Sequence, residues 1–492
     1  MKNVCKSYAL WRSACALSCF AAGCNPSDFA GYADDAPVRV HDVPKGSSKQ
    51  SDYGSVLATS RASSGELSYI AASAGRGSPI VLNRAWSDGA EEQAFLRCGS
   101  ESECMAGHED LGGVLIPFEV WGRGAADERK NCVLAPTNVG TSTQGWVVCE
   151  SKTGGQQFGL GLGALVSEGE RLHYSGFGLP AGHPLGIALL GVHAEQDKGA
   201  GGRRNGGLYR VLDRTESSAP PPQAIKLRDP GAGGEEPSFF TSDEDRADLG
   251  REVVGIVTAS GELLIAVSQP SKQRVIVASF DEELDGPIEQ RFVTRACIES
   301  PDAELRGFGE RLAFGDVTGD GKPELVVGAD PIAGVEPGKQ ALYLYDGAGL
   351  PSAAAAASSC PEWNEEAAAI PCRDKDGASC DDAGFGASLA LGDFSGDGRD
   401  DLLVGAPLSN VRGVSGGAAF IYPGTESGLD LAAATVLTSS KAKARFGAAV
   451  GALRSQGDRS EPVVGAPGLS KIFVYTCTSL ESGFGVGNLC LP

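Results

Sequence analysis

Two acidic loops carry the densest potential chemistry in this chain. Asp393, Ser395, Asp397 and Asp401 stand at relative positions 1, 3, 5 and 9 of one loop, with Gly396 and Gly398 between them. Asp316, Thr318, Asp320 and Glu324 repeat that spacing in another, with the longer glutamate arm at position 9. Alternate residues of a tight loop turn their oxygens inward, and glycine accepts the backbone turns this requires. Such an oxygen set suits a hard cation, and calcium takes about six to eight oxygens. Position 7, Lys322 or Arg399, would add its backbone carbonyl. Two structural calcium sites are expected. An EF-hand begins the same way but needs a glutamate at position 12 and flanking helices. Here position 12 is Val327 or Val404, inside an apolar run. A plain solvated Asp-Gly turn would explain either loop alone. Two loops with one ligand spacing argue against it.

The loops sit inside a repeated phrase. Residues 308–330 read FGERLAFGDVTGDGKPELVVGAD and residues 385–407 read FGASLALGDFSGDGRDDLLVGAP. A third copy, FGAAVGALRSQGDRSEPVVGAP, spans 446–467 but has Leu453, Arg454 and Gln456 in place of the ligands, so no metal is expected there. ELVVG and DLLVG read as buried strands. Each loop therefore joins two strands of one sheet.

These copies resemble FG-GAP repeats, the blades of the seven-bladed propeller at the head of integrin α subunits. The Phe-Gly, the D-x-[ST]-x-D-G-x-x-[DE] loop and the Gly-Ala-Pro carry the resemblance, which is specific over 308–476. It implies an all-β, seven-bladed β-propeller whose N-terminal blades are degenerate. Eroded copies are expected to open at Tyr53-Gly54, Phe158-Gly159 and Leu249-Gly250, with a further blade over 95–150. The propeller is expected to span 53–480, clearest at 308–346, 385–423 and 446–476, with 481–492 as a C-terminal segment. An insertion over 348–384 holds a five-alanine run and three cysteines, and is the expected specificity loop. Stacking blades in a ring buries faces that one blade cannot bury alone. In integrins the resembling loops lie on the face opposite the ligand. That implies a protein or glycan ligand on the other rim here, and a binding module rather than an enzyme. FG-GAP-like blades also occur in polysaccharide lyases and beside phospholipase domains. An envelope enzyme and a purely structural outer-membrane scaffold are thus the alternatives.

The N-terminus has a basic start (Lys2, Lys6, Arg12) and a short apolar stretch over 13–22, the pattern of a secretory signal over 1–23. Ala21-Ala22-Gly23 before Cys24 resembles a bacterial lipobox, although leucine usually stands where Ala21 does. The resemblance implies lipidation at Cys24, anchoring in a membrane and placement in the bacterial outer membrane. Residues 24–52 are polar and are expected to form a flexible tether. Beyond Cys24 lie Cys98, Cys104, Cys132, Cys149, Cys297, Cys360, Cys372, Cys380, Cys477 and Cys490. An even set in an exported chain implies disulfides, and neighbour pairing is the simplest connectivity. A net charge of −21 disfavours nucleic acid and anionic lipid as partners.

Catalytic patterns are weak. The histidines at 41, 108, 173, 183 and 193 show no zinc spacing. Gly413-Val414-Ser415-Gly416-Gly417 matches a nucleophile-elbow string, but a strand-like run follows it where a helix is needed. Gly321-Lys322 lacks the earlier glycine of a phosphate loop, and carboxylates surround it. No catalytic residue is expected.

Overall fold

Strands form on both sides of each acidic loop, as the apolar runs require. Arg311–Gly315 pairs antiparallel with Glu324–Gly328, and Ser388–Gly392 with Asp401–Ala406. Both second strands are buried along their whole length. These pairs belong to a computed structural model that describes 38–42, separate strands and turns between 52 and 227, and most of 248–475. Among the described residues there is no α-helix, only short 3-10 turns.

Five four-stranded sheets stand alone, and one sheet has eight strands, among the described residues. The expectation of seven separate blades is corrected to that extent. The eight-stranded sheet consists of two antiparallel runs of four, joined edge to edge by one parallel pair, Gln223 opposite Gly161. The first strands of all these units are Val56–Thr59, Ile116–Trp121, Arg171–Gly178, Val253–Val257, Arg311–Gly315, Ser388–Gly392 and Val450–Arg454. Each touches the next, and Val450–Arg454 touches Val56–Thr59. The strands therefore close a ring, and the fold is a β-propeller.

The hydrophobic core lies mainly between blades. Leu264, Val275, Phe308, Phe314 and Tyr343 form one cluster across two neighbouring blades. Phe394, Leu403, Phe446 and Val464 form another. The aromatic residue of each Phe-Gly pair is a wedge in these seams: Phe308, Phe385 and Phe446 are all buried. The glycine that follows lets neighbouring backbones meet. Gly447 has φ of 85° and donates its N–H to the Gly465 oxygen at 3.0 Å. Its own carbonyl would lie 2.0 Å from a Cβ placed on Gly405 of the preceding blade. A side chain at either glycine would push two blades apart.

The last blade is completed from the other end of the chain. Val38–Asp42 pairs antiparallel with Lys471–Tyr475, and Lys471 Nζ lies 2.7 Å from Asp42 Oδ1. The tether expected over 24–52 thus contains a structural strand. Two further boundaries are corrected. Phe158-Gly159 does not open a blade; it lies in Gln156–Gly161, the outer strand of a blade that begins at Ile116. The insertion expected over 348–384 contains Ala368–Ile370, the fourth strand of its blade. Before that strand, Trp363 donates its indole N–H to the Asp346 carbonyl at 2.8 Å. The segments 1–23 and 481–492, Cys24, the five-alanine run and Cys98, Cys104, Cys360, Cys380, Cys477 and Cys490 lie outside the described residues.

Candidate functional site

The two acidic loops occupy equivalent turns of two adjacent blades. Gly315 is register partner to Glu324, and Gly392 to Asp401, so each loop spans the same gap between first and second strands. Position 1 holds the turn together. Asp316 accepts N–H groups from Gly319 (2.8 Å) and Gly321 (3.0 Å). Asp393 accepts from Gly396, from Asp397 (3.1 Å) and from Gly398 (3.0 Å). The intervening glycines, Gly319 and Gly321 or Gly396 and Gly398, all have φ between 74° and 88°.

Position 9 is buried in both loops. Glu324 accepts the Val317 N–H at 2.6 Å, the Thr318 N–H at 3.2 Å and the Thr318 hydroxyl at 3.1 Å. Burial pushes its pKa up to about 7, those hydrogen bonds pull it down, and the charge of Asp316 raises it further. Asp401 accepts the Ser395 N–H at 2.7 Å and the Gly424 N–H at 2.9 Å. Burial pushes it up to about 6 against those bonds, and Asp393 and Asp397 add to the rise. The carboxylates of each loop therefore sense one another.

Position 5 is tied to position 7. Asp320 Oδ2 lies 3.7 Å from Lys322 Nζ, and Asp397 Oδ2 lies 3.1 Å from Arg399 Nη1. Among the described residues, no three His, Cys, Asp or Glu side chains gather closely enough to hold a metal as they stand. The donor chemistry fits a hard cation nonetheless. Each loop offers three carboxylates, a hydroxyl and a backbone carbonyl, all oxygen, on a short glycine-bearing turn.

Contacts between loops were not visible in the repeat itself. Arg399 reaches back to the preceding blade and donates Nε–H to the Thr318 carbonyl at 3.2 Å. Arg459, its counterpart one blade on, donates to the Phe394 carbonyl at 3.0 Å and the Ser395 carbonyl at 2.8 Å. The third copy also keeps a buried carboxylate, Glu461, opposite Leu453 as Asp401 is opposite Gly392. It thus keeps the position 9 carboxylate, while Arg454 and Gln456 stand at positions 1 and 3.

The other ends of the first strands carry a second charged group. Arg251 Nε lies 2.7 Å from Glu310 Oε2, and Arg311 donates to the Glu310 carbonyl at 2.6 Å and the Ala387 carbonyl at 2.8 Å. Half-buried Glu252 is faced by Arg311, Arg251 and Glu310, and burial pushes its pKa up to about 7. The residues after the leading glycine are Arg251-Glu252 and Glu310-Arg311 here, but Ala387-Ser388 and Ala448-Ala449 in the next two blades. That break in repeat symmetry was the available sequence signal. Between the two rims the first strands line an axial cavity of about 670 Å³, bordered by Leu57, Val254, Leu312, Leu389 and Arg454 among others.

Ser415 accepts the Lys443 N–H through its backbone carbonyl, and a strand, Ala418–Tyr422, follows Gly417. The strands carrying His173 and His193 place those residues opposite each other in register. His183 lies 3.4 Å from Glu282, and burial lowers its pKa.

No curated protein matches the chain. Solved structures similar to it include a point mutant of Aleuria aurantia lectin in complex with alpha-methyl-L-fucoside, at 12% identity and a TM-score of 0.37, covering 80% of this chain and 96% of that one. A second structure of that lectin, described as a six-bladed β-propeller with a novel fucose recognition mode, has 12% identity, a TM-score of 0.36 and the same coverage. The FG-GAP repeat model matches residues 308–345 and 385–422. Those two segments are FG-GAP repeats, set in a β-propeller.

Proposed function

We propose that the chain is an exported, lipid-anchored FG-GAP propeller that binds a protein or glycan ligand, and that calcium in its two acidic loops stabilises it. The observation that carries this reading is the pair of oxygen-rich loops at equivalent turns of adjacent FG-GAP blades. Asp316, Thr318, Asp320, Lys322 and Glu324 would hold one ion; Asp393, Ser395, Asp397, Arg399 and Asp401 would hold the other. The ion supplies positive charge to carboxylates that otherwise repel one another. The chain's own residues do the rest: Asp316 and Asp393 shape the turns, and Glu324 and Asp401 tie them to the second strands.

Ligand contacts are assigned to the opposite rim, where Arg251, Glu252, Glu310 and Arg311 break the blade symmetry. The reading is of binding rather than catalysis. Cys24 is the proposed lipidation site, in a bacterial outer membrane. Disulfides are proposed between neighbouring cysteines, and two placements support them. Cys132 and Cys149 are register partners on adjacent strands, and Cys297 donates its N–H to the carbonyl of Pro361, beside Cys360.

Thermal unfolding of oxidised protein in calcium, then in excess chelator, tests the metal. A ligand bound only by the folded state must raise its stability. A midpoint that ignores calcium, in protein shown by metal analysis to be empty, would refute the calcium reading.

A further inference from the structure

We propose that Arg399 is a positioning residue shared by the two acidic loops, strengthening calcium binding at 316–324 while weakening it at 393–401. The inference rests on the calcium reading. Arg399 belongs to the second loop by sequence, yet its side chain serves both. Within its own loop, Nη1 lies 3.1 Å from Asp397 Oδ2. Across the blade seam, Nε donates to the Thr318 carbonyl at 3.2 Å. Its aliphatic stem covers the first loop's turn, since a Cβ placed on Gly319 would lie 3.0 Å from Arg399 Cγ. Nη2 lies 3.1 Å from Glu426 Oε1.

These contacts make opposite demands. Asp397 is a candidate metal ligand of the second loop and, at the same time, the ion partner of Arg399. A cation there must compete with the guanidinium for the carboxylate and bear its like charge. In the first loop Arg399 touches a backbone carbonyl, not a ligand side chain. There it orders Thr318 and Gly319, so less conformational freedom is lost when an ion is taken up. The neighbouring Asp400 fixes the same turn through its backbone. One blade on, Arg459 makes the equivalent clamp from a copy that has Arg454 and Gln456 in place of ligands at positions 1 and 3. Arg459 therefore orders a loop without having one of its own to oppose. Arg399 alone stands between two candidate metal loops.

Calorimetric titration of the full chain with calcium chloride tests this. Asp316→Asn leaves the second loop to be read, and Asp393→Asn leaves the first; each is measured with and without Arg399→Met, which keeps the stem. In the Asp316→Asn background, Arg399→Met is expected to tighten binding about fivefold, the scale of an exposed ion pair. In the Asp393→Asn background it is expected to weaken binding by a similar factor. Arg399→Lys, which keeps the charge on a shorter reach, should restore the weak second loop but not the first. A change of the same sign in both backgrounds would mean a simple charge effect and would overturn the proposal. So would no change in either background while calcium still binds. Failure of the unsubstituted chain to bind calcium at all would sink the calcium reading together with this inference.

Discussion

Asp400 and Asp316 hold each other twice across a blade seam. The Asp400 N–H donates to the Asp316 carbonyl at 2.8 Å, and the Asp316 N–H donates to Asp400 Oδ2 at 2.9 Å. The next seam keeps the backbone half: the Ser460 N–H donates to the Asp393 carbonyl at 2.8 Å. In that seam Ser460 stands where Asp400 does, so no carboxylate is placed to repeat the side-chain half. Asp400→Ala should cost about 1–3 kcal/mol, because it leaves the Asp316 N–H without that charged acceptor. Asp400→Asn, which retains an oxygen, should cost less. Urea unfolding checks both; equal stability of all three proteins would show that the contact contributes nothing.

Removing the position 1 and position 5 carboxylates should abolish the calcium response of the second loop. The double variant Asp393→Ala, Asp397→Ala is expected to lose its share of stabilisation, about 3 kcal/mol at calcium a hundredfold above the dissociation constant. It should also be less stable than the parent in chelator, because Asp393 accepts the N–H groups of Gly396, Asp397 and Gly398. Thermal scans at fixed calcium activity separate the two losses.

Glu252 should make stability fall with rising pH. Burial raises its folded pKa from 4.5 to about 7, against the lowering influence of Arg311 and Arg251. The fold therefore binds the proton more tightly than the unfolded chain does. The contribution is full below about pH 4, is lost as pH rises through 7, and stays lost above that. For a half-buried group the change is about 2 kcal/mol. Glu252→Gln should flatten this component, so the difference between parent and variant across the pH range is the quantity to measure.

Deleting the N-terminal strand should weaken the closure of the ring. A chain starting at residue 46 lacks Val38–Asp42 and leaves Lys471–Tyr475 as an open edge. About 2–3 kcal/mol and a midpoint drop of ~5 °C are expected, together with concentration-dependent association through the exposed strand. An unchanged midpoint, compared with a chain starting at residue 25, would show that the strand is dispensable.

The acidic loops and their flanking strands were legible because their signals are local. Ligand spacing, glycines and apolar runs all lie within about twenty residues, as turn chemistry requires. What escaped notice depends on partners in other blades. VRVHD at 38–42 shows two valines in a polar stretch, and its strand character comes from pairing with Lys471–Tyr475. Phe158-Gly159 has the letters of a blade opening, yet Phe158 is register partner to Val147 in an outer strand. Arg399 and Arg459 read as loop charges, and only the ring brings each against the preceding loop. Ala368–Ile370 is a three-residue strand within a long cysteine-bearing stretch, too short to give a periodic signal.

The pairing of Val38–Asp42 with Lys471–Tyr475 also sets an order of events. The two partners are more than four hundred residues apart in sequence, so the first of the described strands to be synthesised must wait for the last of them. Blades between them can form from local hairpins as they appear, but the seam cannot shut until the chain has gone full circle. Closing so long a loop is slow, although its entropic cost grows only gently with length. A chain halted short of Lys471–Tyr475 would leave Val38–Asp42 without its partner, an unpaired edge of the kind other chains can join.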